Sequence, residues 1–410
     1  MRARVVCAAL AAAVLPASAG AQTLLLTESQ ALARLSAESP RVQAVRAAVD
    51  VARADVLSAA RWPNPRVTFN REAVAGVTEN MVMVAQLLPV AGRRRFEVSA
   101  ASARVEAATS RADDAVRRFR ADLRLAFTDL WAAQAREREL ARSRDQLREL
   151  ADVIGRRETA GEAAGFDRLR AEREVIDVEA DRAAAATERA QAQGILASYF
   201  SAAPVVDVID AARPEPSSAV EARLPPVDEL MATAERMRGE FAALQRELDA
   251  AAFLEQAAAR RRVPEPEIVG GTKSSNAGTG DLGSIVSVHV NVPLFDRGGP
   301  ERASAQARAA QLRAEAETLR LSVRTQIAAW RAAVLERRAI ASNYRAASAA
   351  AAEQVGRIAQ VSYEAGEGSI LELLDAYRTT STARVRQAAL DAAVREAEIE
   401  LEFVSGWEIP

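Results

Sequence analysis

Between Ser284 and Leu294 apolar and polar positions alternate. Val286, Val288, Val290, Val292 and Leu294 fall on one side of an extended chain, and Ser287, His289 and Asn291 on the other. Period two predicts a strand with one apolar and one polar face. Pro293 and the run Asp296-Arg297-Gly298-Gly299-Pro300 stop it, and from Glu301 the spacing turns helical, with no proline before Pro410. The stretch Met81–Arg95 makes nearly the same switch. A two-faced strand feeding straight into a very long helix therefore occurs twice.

The flanking pattern predicts the rest of each unit. From Thr27 to about Arg61 an apolar set at helical spacing, including Ala31, Val42, Val49, Val56 and Leu57, predicts a helix that ends at Pro63-Asn64-Pro65. Val67, Phe69 and Ala73 alternate with Thr68 and Asn70, Gly76 to Asn80 reads as a turn, and Met81, Met83, Ala85 and Leu87 alternate again, giving a hairpin over 66–89. From Arg94 to about Ile154 the helix is sustained. Val116, Phe119, Leu123, Phe127 and Leu130 step by three and four, and Leu140, Leu147 and Ile154 by seven, a coiled-coil seam. Some 60 residues at 1.5 Å each reach on the order of 90 Å, longer than any compact core needs. Gly155, Gly161 and Gly165 mark a turn, and a helix returns from Phe166 to about Phe200.

The order then recurs. A proline-rich linker, 205–226, separates a first repeat, 22–204, from a second, 227–410. The second has a helix from Val227 to Arg262, a hairpin over 267–294, and a long helix from Glu301 to about Arg357 with Leu312, Leu319, Val323, Trp330 and Val334 on its seam. A turn around Gly366 and a final helix, Ser369–Phe403, complete it. Landmarks recur at intervals near 200 residues: Pro65 and Pro266, Pro89 and Pro293, Gly161 and Gly366. An ordered recurrence of this kind is an internal repeat.

Composition narrows the function. The chain of 410 residues is 49% hydrophobic but only 4% aromatic, Lys273 is its only lysine, and its formal net charge is -2. No basic excess points to nucleic acid. Residues 1–21 have a basic start, an apolar run and small residues ending Ala19-Gly20-Ala21, which reads as a secretory signal. Cleavage there removes Arg2 and Arg4, taking the net charge from -2 to -4, and also removes Cys7, the only cysteine. No later run of about 18 apolar residues exists, so any membrane passage must be made by strands. His289 is the only histidine, which excludes a histidine triad or a histidine-rich metal site. No P-loop or GxSxG is present. The reading carries no catalysis, no cofactor and no metal site.

Four strands cannot close a barrel, and hydrocarbon does not tolerate unpaired strand edges. Several chains must therefore share one barrel, with Thr68, Asn70, Ser287, His289 and Asn291 facing its lumen and Val67, Phe69, Val286, Val288, Val290 and Val292 facing lipid. The alternative of a small soluble sheet covered by helices conflicts with the long rods. The expected class is mainly α with a small β part: coiled-coil helices forming an α-barrel, continued by strands in a shared transmembrane β-barrel.

The duplicated helix–hairpin–helix order, the Pro-Asn-Pro before the first hairpin, VNVPLFDRGGPERASAQA and YEAGEGSILELLDAYR together resemble the TolC family of outer-membrane efflux proteins over essentially the whole mature chain. PNPRVTF and VPLFDRGGPERASAQA are most similar to its heavy-metal branch, the CzcC and CusC type. The resemblance implies a homotrimer in the outer membrane extending into the periplasm, with a 12-strand barrel built from four strands per chain. It implies an exit duct for heavy-metal cations, working with a periplasmic adaptor and an inner-membrane resistance-nodulation-division transporter. The alternatives are a multidrug or type I secretion duct of the same family, or a soluble periplasmic coiled-coil adaptor. The resemblance further implies that the turns at Gly161 and Gly366 are periplasmic tips that meet the adaptor. Tyr363 would match a gate tyrosine, Glu372 and Asp375 would match carboxylates ringing the entrance, and Gly368 stands where the family has a gate arginine.

Overall fold

The computed structural model describes residues 23–161, 165–200, 208–214, 224–278 and 280–409. The signal expected at 1–21, with Cys7, lies outside the described residues, as does part of the linker at 205–226.

Six strands and nine α-helices follow in order among the described residues. They are β1 (Thr23–Leu26), α1 (Glu28–Ala33), α2 (Pro40–Ala60), β2 (Arg66–Val74), β3 (Val77–Leu87), α3 (Arg93–Thr159), α4 (Gly165–Ala197), β4 (Val208–Ala211), α5 (Val227–Met237), α6 (Gly239–Arg260), β5 (Pro266–Ser275), β6 (Leu282–Val290), α7 (Gly299–Tyr344), α8 (Ala350–Glu364) and α9 (Ile370–Ser405). One π-helical turn, Arg345–Ala349, joins α7 to α8. The 67 residues of α3 make a rod about 100 Å long at 1.5 Å per residue.

The two hairpins unite in one antiparallel sheet of order β2-β3-β5-β6. Its register puts Val67 opposite Val84 and Phe69 opposite Val82, and Ile268 opposite Val288 and Gly270 opposite Val286. All of these share one face, and that face is open: Val67 is 68% exposed and Val286 82%. On the other face Ala85 and Val269 are buried and Met81, Met83, Ile285 and Ser287 half-buried. No helix makes an extended contact with this sheet among the described residues. The sheet therefore covers its inner face by its own curl, as a barrel segment does. Gly271 permits the closest strand approach, since a Cβ there would lie 2.3 Å from the carbonyl oxygen of Val82.

The helical layer packs through the expected seams. Leu123, Phe127, Leu130, Leu147 and Ile154 of α3 are buried, as are Leu312, Val323 and Val334 of α7. Leu57 departs from its expected place and is 75% exposed. Glycines with positive φ punctuate both halves alike: Gly92 and Gly298 at the starts of α3 and α7, and Gly161 and Gly366 beyond the ends of α3 and α8.

Several boundaries differ from the sequence reading. The first helix is two, because Ser39-Pro40 starts α2 afresh with proline in its first turn. The helix expected over 227–262 is also two. The amide of Gly239 donates to Asp114 Oδ1 at 3.1 Å, and a Cβ at 239 would lie 2.0 Å from the carbonyl of Ser110, so the chain turns there to pass α3 closely. Gly155 sits inside α3 rather than in a turn. Strand β3 begins at Val77, so the turn is shorter than expected.

A second sheet, absent from the reading of four strands per chain, pairs β1 and β4 in parallel. Each is only 4 residues long, too short for alternation to declare itself. Leu26, Ile209 and Ala211 pack with Leu123, Phe127, Leu130, Trp131, Leu196 and Phe200. Buried Gln134 fixes β4 to α3: its Nε2 donates to the Ile209 carbonyl at 2.6 Å and its Oε1 accepts the Ala211 amide at 3.0 Å. Charge ties the same level together. Glu28 of α1 accepts from Arg124 of α3 and, through both oxygens at 2.9 Å, from Arg395 of α9, while Arg124 also reaches Glu402. Burial opposes charge on Arg124, but Glu402 and Glu28 outweigh it and hold its pKa above the usual value.

Gln134→Leu leaves a buried carbonyl and a buried amide of β4 without partners. We expect a loss of about 2 kcal/mol in unfolding free energy, read from denaturant titration, with no loss of the four-stranded sheet.

Candidate functional site

Two places gather the residues singled out by sequence: the inner face of the four-stranded sheet, and the end of the helical layer where the chain turns at Gly161 and Gly366.

On the inner face, Ser287 and His289 stand where period two puts them. Ser287 Oγ and His289 Nε2 are 3.4 Å apart. His289 Nδ1 lies 3.8 Å from Glu267 Oε2, and Arg66 Nη2 donates to both oxygens of Glu267 at 3.0 and 2.9 Å. Near the far end of the strands Lys273 Nζ pairs with Glu79 Oε2 at 2.6 Å. Charges of both signs thus lie on the face that the sheet curls around, and apolar side chains on the face it turns out. Asn291 is a correction in part: β6 ends at Val290, because the approaching Pro293 has no amide to continue a ladder, so Asn291 lies past the strand. Thr68 and Asn70 share the inner face with Met83 and Met81, opposite which they pair. The methionines read as an apolar strand face, but their neighbours Val82 and Val84 are the outward residues. Both faces of β3 are apolar, and alternation alone could not choose between them.

At the other end, Leu147, Leu150 and Ile154 of α3, Ala171 of α4 and Ile370, Leu373 and Leu374 of α9 form one buried cluster, with Tyr363 of α8 packed against it. Both turns therefore close the same end. Residues 162–164 lie outside the described residues. Arg157 stacks over the Tyr363 ring, 5.9 Å from its centroid. The amides of Glu367 and Gly368 both donate to the Ser362 carbonyl, at 2.9 and 3.0 Å, and Gly366 takes φ 76°, which favours glycine. A Cβ at Gly368 would lie 2.9 Å from Ser362 Oγ, so a larger residue there requires Ser362 to move.

Glu372 has a local duty. Its carboxylate accepts the Ser369 amide at 3.1 Å while Ser369 Oγ accepts the Glu372 amide at 3.3 Å, a capping box that starts α9. Asp375, exposed like Glu372, follows one turn later. Beside it Arg378 clamps both oxygens of Glu174 at 2.7–2.8 Å, joining α9 to α4, and this hydrogen bonding raises the Arg378 pKa. That clamp was not legible in sequence, since its partners are 204 residues apart. No group of three or more His, Cys, Asp or Glu side chains that could hold a metal ion exists among the described residues. None of their helices is long and apolar enough to cross a membrane.

With this geometry in view, comparison with known proteins is informative. Residues 230–406 match the family model described as outer membrane efflux protein. A curated relative, the cobalt-zinc-cadmium resistance protein CzcC of Cupriavidus metallidurans, is 24% identical over 386 residues, covering 93% of this chain and 90% of CzcC. Among solved structures, the outer-membrane channel OprN superposes with a TM-score of 0.75 at 20% identity, covering 92% of this chain and 89% of that one. CusC does so with a TM-score of 0.75 at 16% identity, covering 92% and 91%. The fold is that of these two channels.

Glu372→Ala removes one half of the capping box. We expect a loss of about 1 kcal/mol at the start of α9, seen as roughly fivefold faster amide exchange over 370–373, with exchange in the middle of α9 unchanged.

Proposed function

We propose that this protein is the outer-membrane exit duct of a tripartite efflux system, exporting heavy-metal cations. The carrying observation is the open sheet. Strands of 9 to 11 residues match the length of a tilted membrane-crossing strand. The outer face is apolar and exposed, the inner face is charged, and β2 and β6 each have one free edge. Such edges find partners only in further copies, β6 of one beside β2 of the next. The helical layer is open on the same two sides: α2 and α4 pack on α3, α7 packs on α6 and α9, and α2 makes no extended contact with α7. A head-to-tail contact that repeats and closes is a ring. Three copies complete the 12-strand barrel implied by the family resemblance, continued by a tunnel of rods into the periplasm.

The metal reading rests on the likeness to CzcC, a cobalt-zinc-cadmium resistance protein, and to CusC. The resistance-nodulation-division transporter and the adaptor are partners by that analogy. Gly161 and Gly366, at the closed end of the rods, are the surfaces offered to the adaptor. Tyr363, Glu372 and Asp375 stand at the entrance, where three copies bring six carboxylates to one mouth and favour cations. The chemistry is passage, with no bond made or broken.

Extraction provides the first test: the protein should leave outer membranes only with detergent, and as a trimer. A soluble monomer overturns the duct. In planar bilayers the double variant Glu372→Ala/Asp375→Ala should lower cation-over-anion selectivity severalfold; unchanged selectivity removes both residues from the mouth.

A further inference from the structure

The four segments that join sheet to helices, 60–66, 91–97, 259–267 and 296–302, carry ten arginines against five carboxylates. The whole chain, by contrast, has 54 basic and 56 acidic residues. The positive surplus is thus concentrated at one level of the molecule, directly below the apolar outer face of the sheet. Arg66 faces inward onto Glu267 and is set aside. Arg93 is held by Glu97 and Glu265, Arg261 by Asp296 and Glu301, and Arg302 by Glu255. Arg61, Arg94, Arg95, Arg260, Arg262 and Arg297 have no carboxylate partner among the described residues; Arg94 and Arg260 instead lie over the rings of Trp62 and Phe96, at 5.5 and 5.7 Å.

Helix dipoles do not account for this set. Arg61, Arg260 and Arg262 follow or end helices, where a cation is favourable. Arg94 and Arg95 lie in the first turn of α3 and Arg297 just ahead of α7, where it is unfavourable. Large apolar side chains stand exposed at the same level: Phe295 is 100% exposed, Leu294 61%, Val90 63% and Trp62 53%. Leu294 and Phe295 follow the outward Val286, Val288 and Val290 of β6 along the chain. Arg260, Val263, Leu294 and Phe295 line one open cleft of about 590 Å³, together with the paired Arg93–Glu265 and Arg261–Asp296. Cationic forks beside exposed apolar and aromatic surface, at the lower rim of a lipid-facing band, suit a phosphate headgroup at their own level and an acyl chain above it.

We propose that this collar binds anionic glycerophospholipid headgroups of the membrane leaflet on the helical side of the sheet, and so sets the depth of the barrel in the bilayer. The proposal rests on the duct reading. Arginine is suited to the task because its planar fork meets two phosphate oxygens at once. Trp62, Leu294 and Phe295 hold the lipid boundary, and the unpaired arginines hold the headgroup plane.

The test uses the purified assembly in detergent doped with dioleoyl phosphatidylglycerol or dioleoyl phosphatidylcholine, with retained lipid counted by native mass spectrometry. Wild type should retain the anionic lipid preferentially and lose that preference at high salt. The triple variant Arg260→Gln/Arg262→Gln/Arg297→Gln should lose roughly fivefold of it per arginine removed. Equal retention of both lipids by wild type, or an unchanged preference in the variant, overturns the collar. Should the variant not assemble, a photoactivatable phosphatidylglycerol on wild type decides. Labelling of peptides spanning 61–65 and 292–297 supports the collar; labelling confined to the strands overturns it. Conductance separates this from the parent reading. A conducting wild type without lipid preference removes the collar alone, and a protein that neither inserts nor conducts removes the duct as well.

Discussion

The unpaired edges of β2 and β6 govern this molecule. Each carries backbone donors and acceptors that water can satisfy and hydrocarbon cannot. The apolar outer face asks for hydrocarbon: Val67, Phe69, Val82, Val84, Val286 and Val288 are exposed there, with no helix across them. One chain cannot meet both demands. The proposed ring of copies would meet both, because every edge is then paired and the apolar outer face meets lipid. In that proposed ring the charged inner face would become the wall of a wet bore by the same closure.

In the proposed assembly the helical layer has to keep the sheets of neighbouring copies in register, and that demands stiffness at a distance from the membrane. The level of β1 and β4 provides it. Gln134, the Glu28–Arg124–Arg395 group and the Arg338–Glu398 pair, with Nη2 and Oε1 2.7 Å apart, tie α1, α3, α7, α9 and β4 across more than 300 residues of sequence. Exposed ion pairs contribute little, but these side chains are at most 19% exposed, and breaking one leaves a charge without its partner in poor solvent. They specify which helix lies beside which, where alanine-rich seams alone would tolerate sliding.

How much of this was legible depends on the length scale of the signal. The hairpins, the rods and the two glycine turns declare themselves because each repeats a period over many residues or ends at proline or positive-φ glycine. Strands β1 and β4 do not, being 4 residues each and paired across a gap of about 180 positions. The breaks at Ser39 and Arg238 were missed for a related reason: the second is imposed by the close passage of Gly239 beside Ser110, a tertiary event. At the candidate site, Ser287 and His289 follow from alternation, whereas the sidedness of β3 does not, since methionine and valine are both apolar. Glu372 was singled out by the family resemblance, and the structure gives it a further role, the start of α9.

That further role bears on how an entrance could open. A carboxylate that caps α9 through Ser369 is fixed to the helix end and moves only as that end moves. Tyr363, with Arg157 over its ring, packs against the cluster that α3, α4 and α9 share. The turn cannot shift without disturbing that cluster or unclamping Arg378 from Glu174. Rearrangement at the Gly366 turn therefore has to carry α8 and α9 with it or break into that cluster.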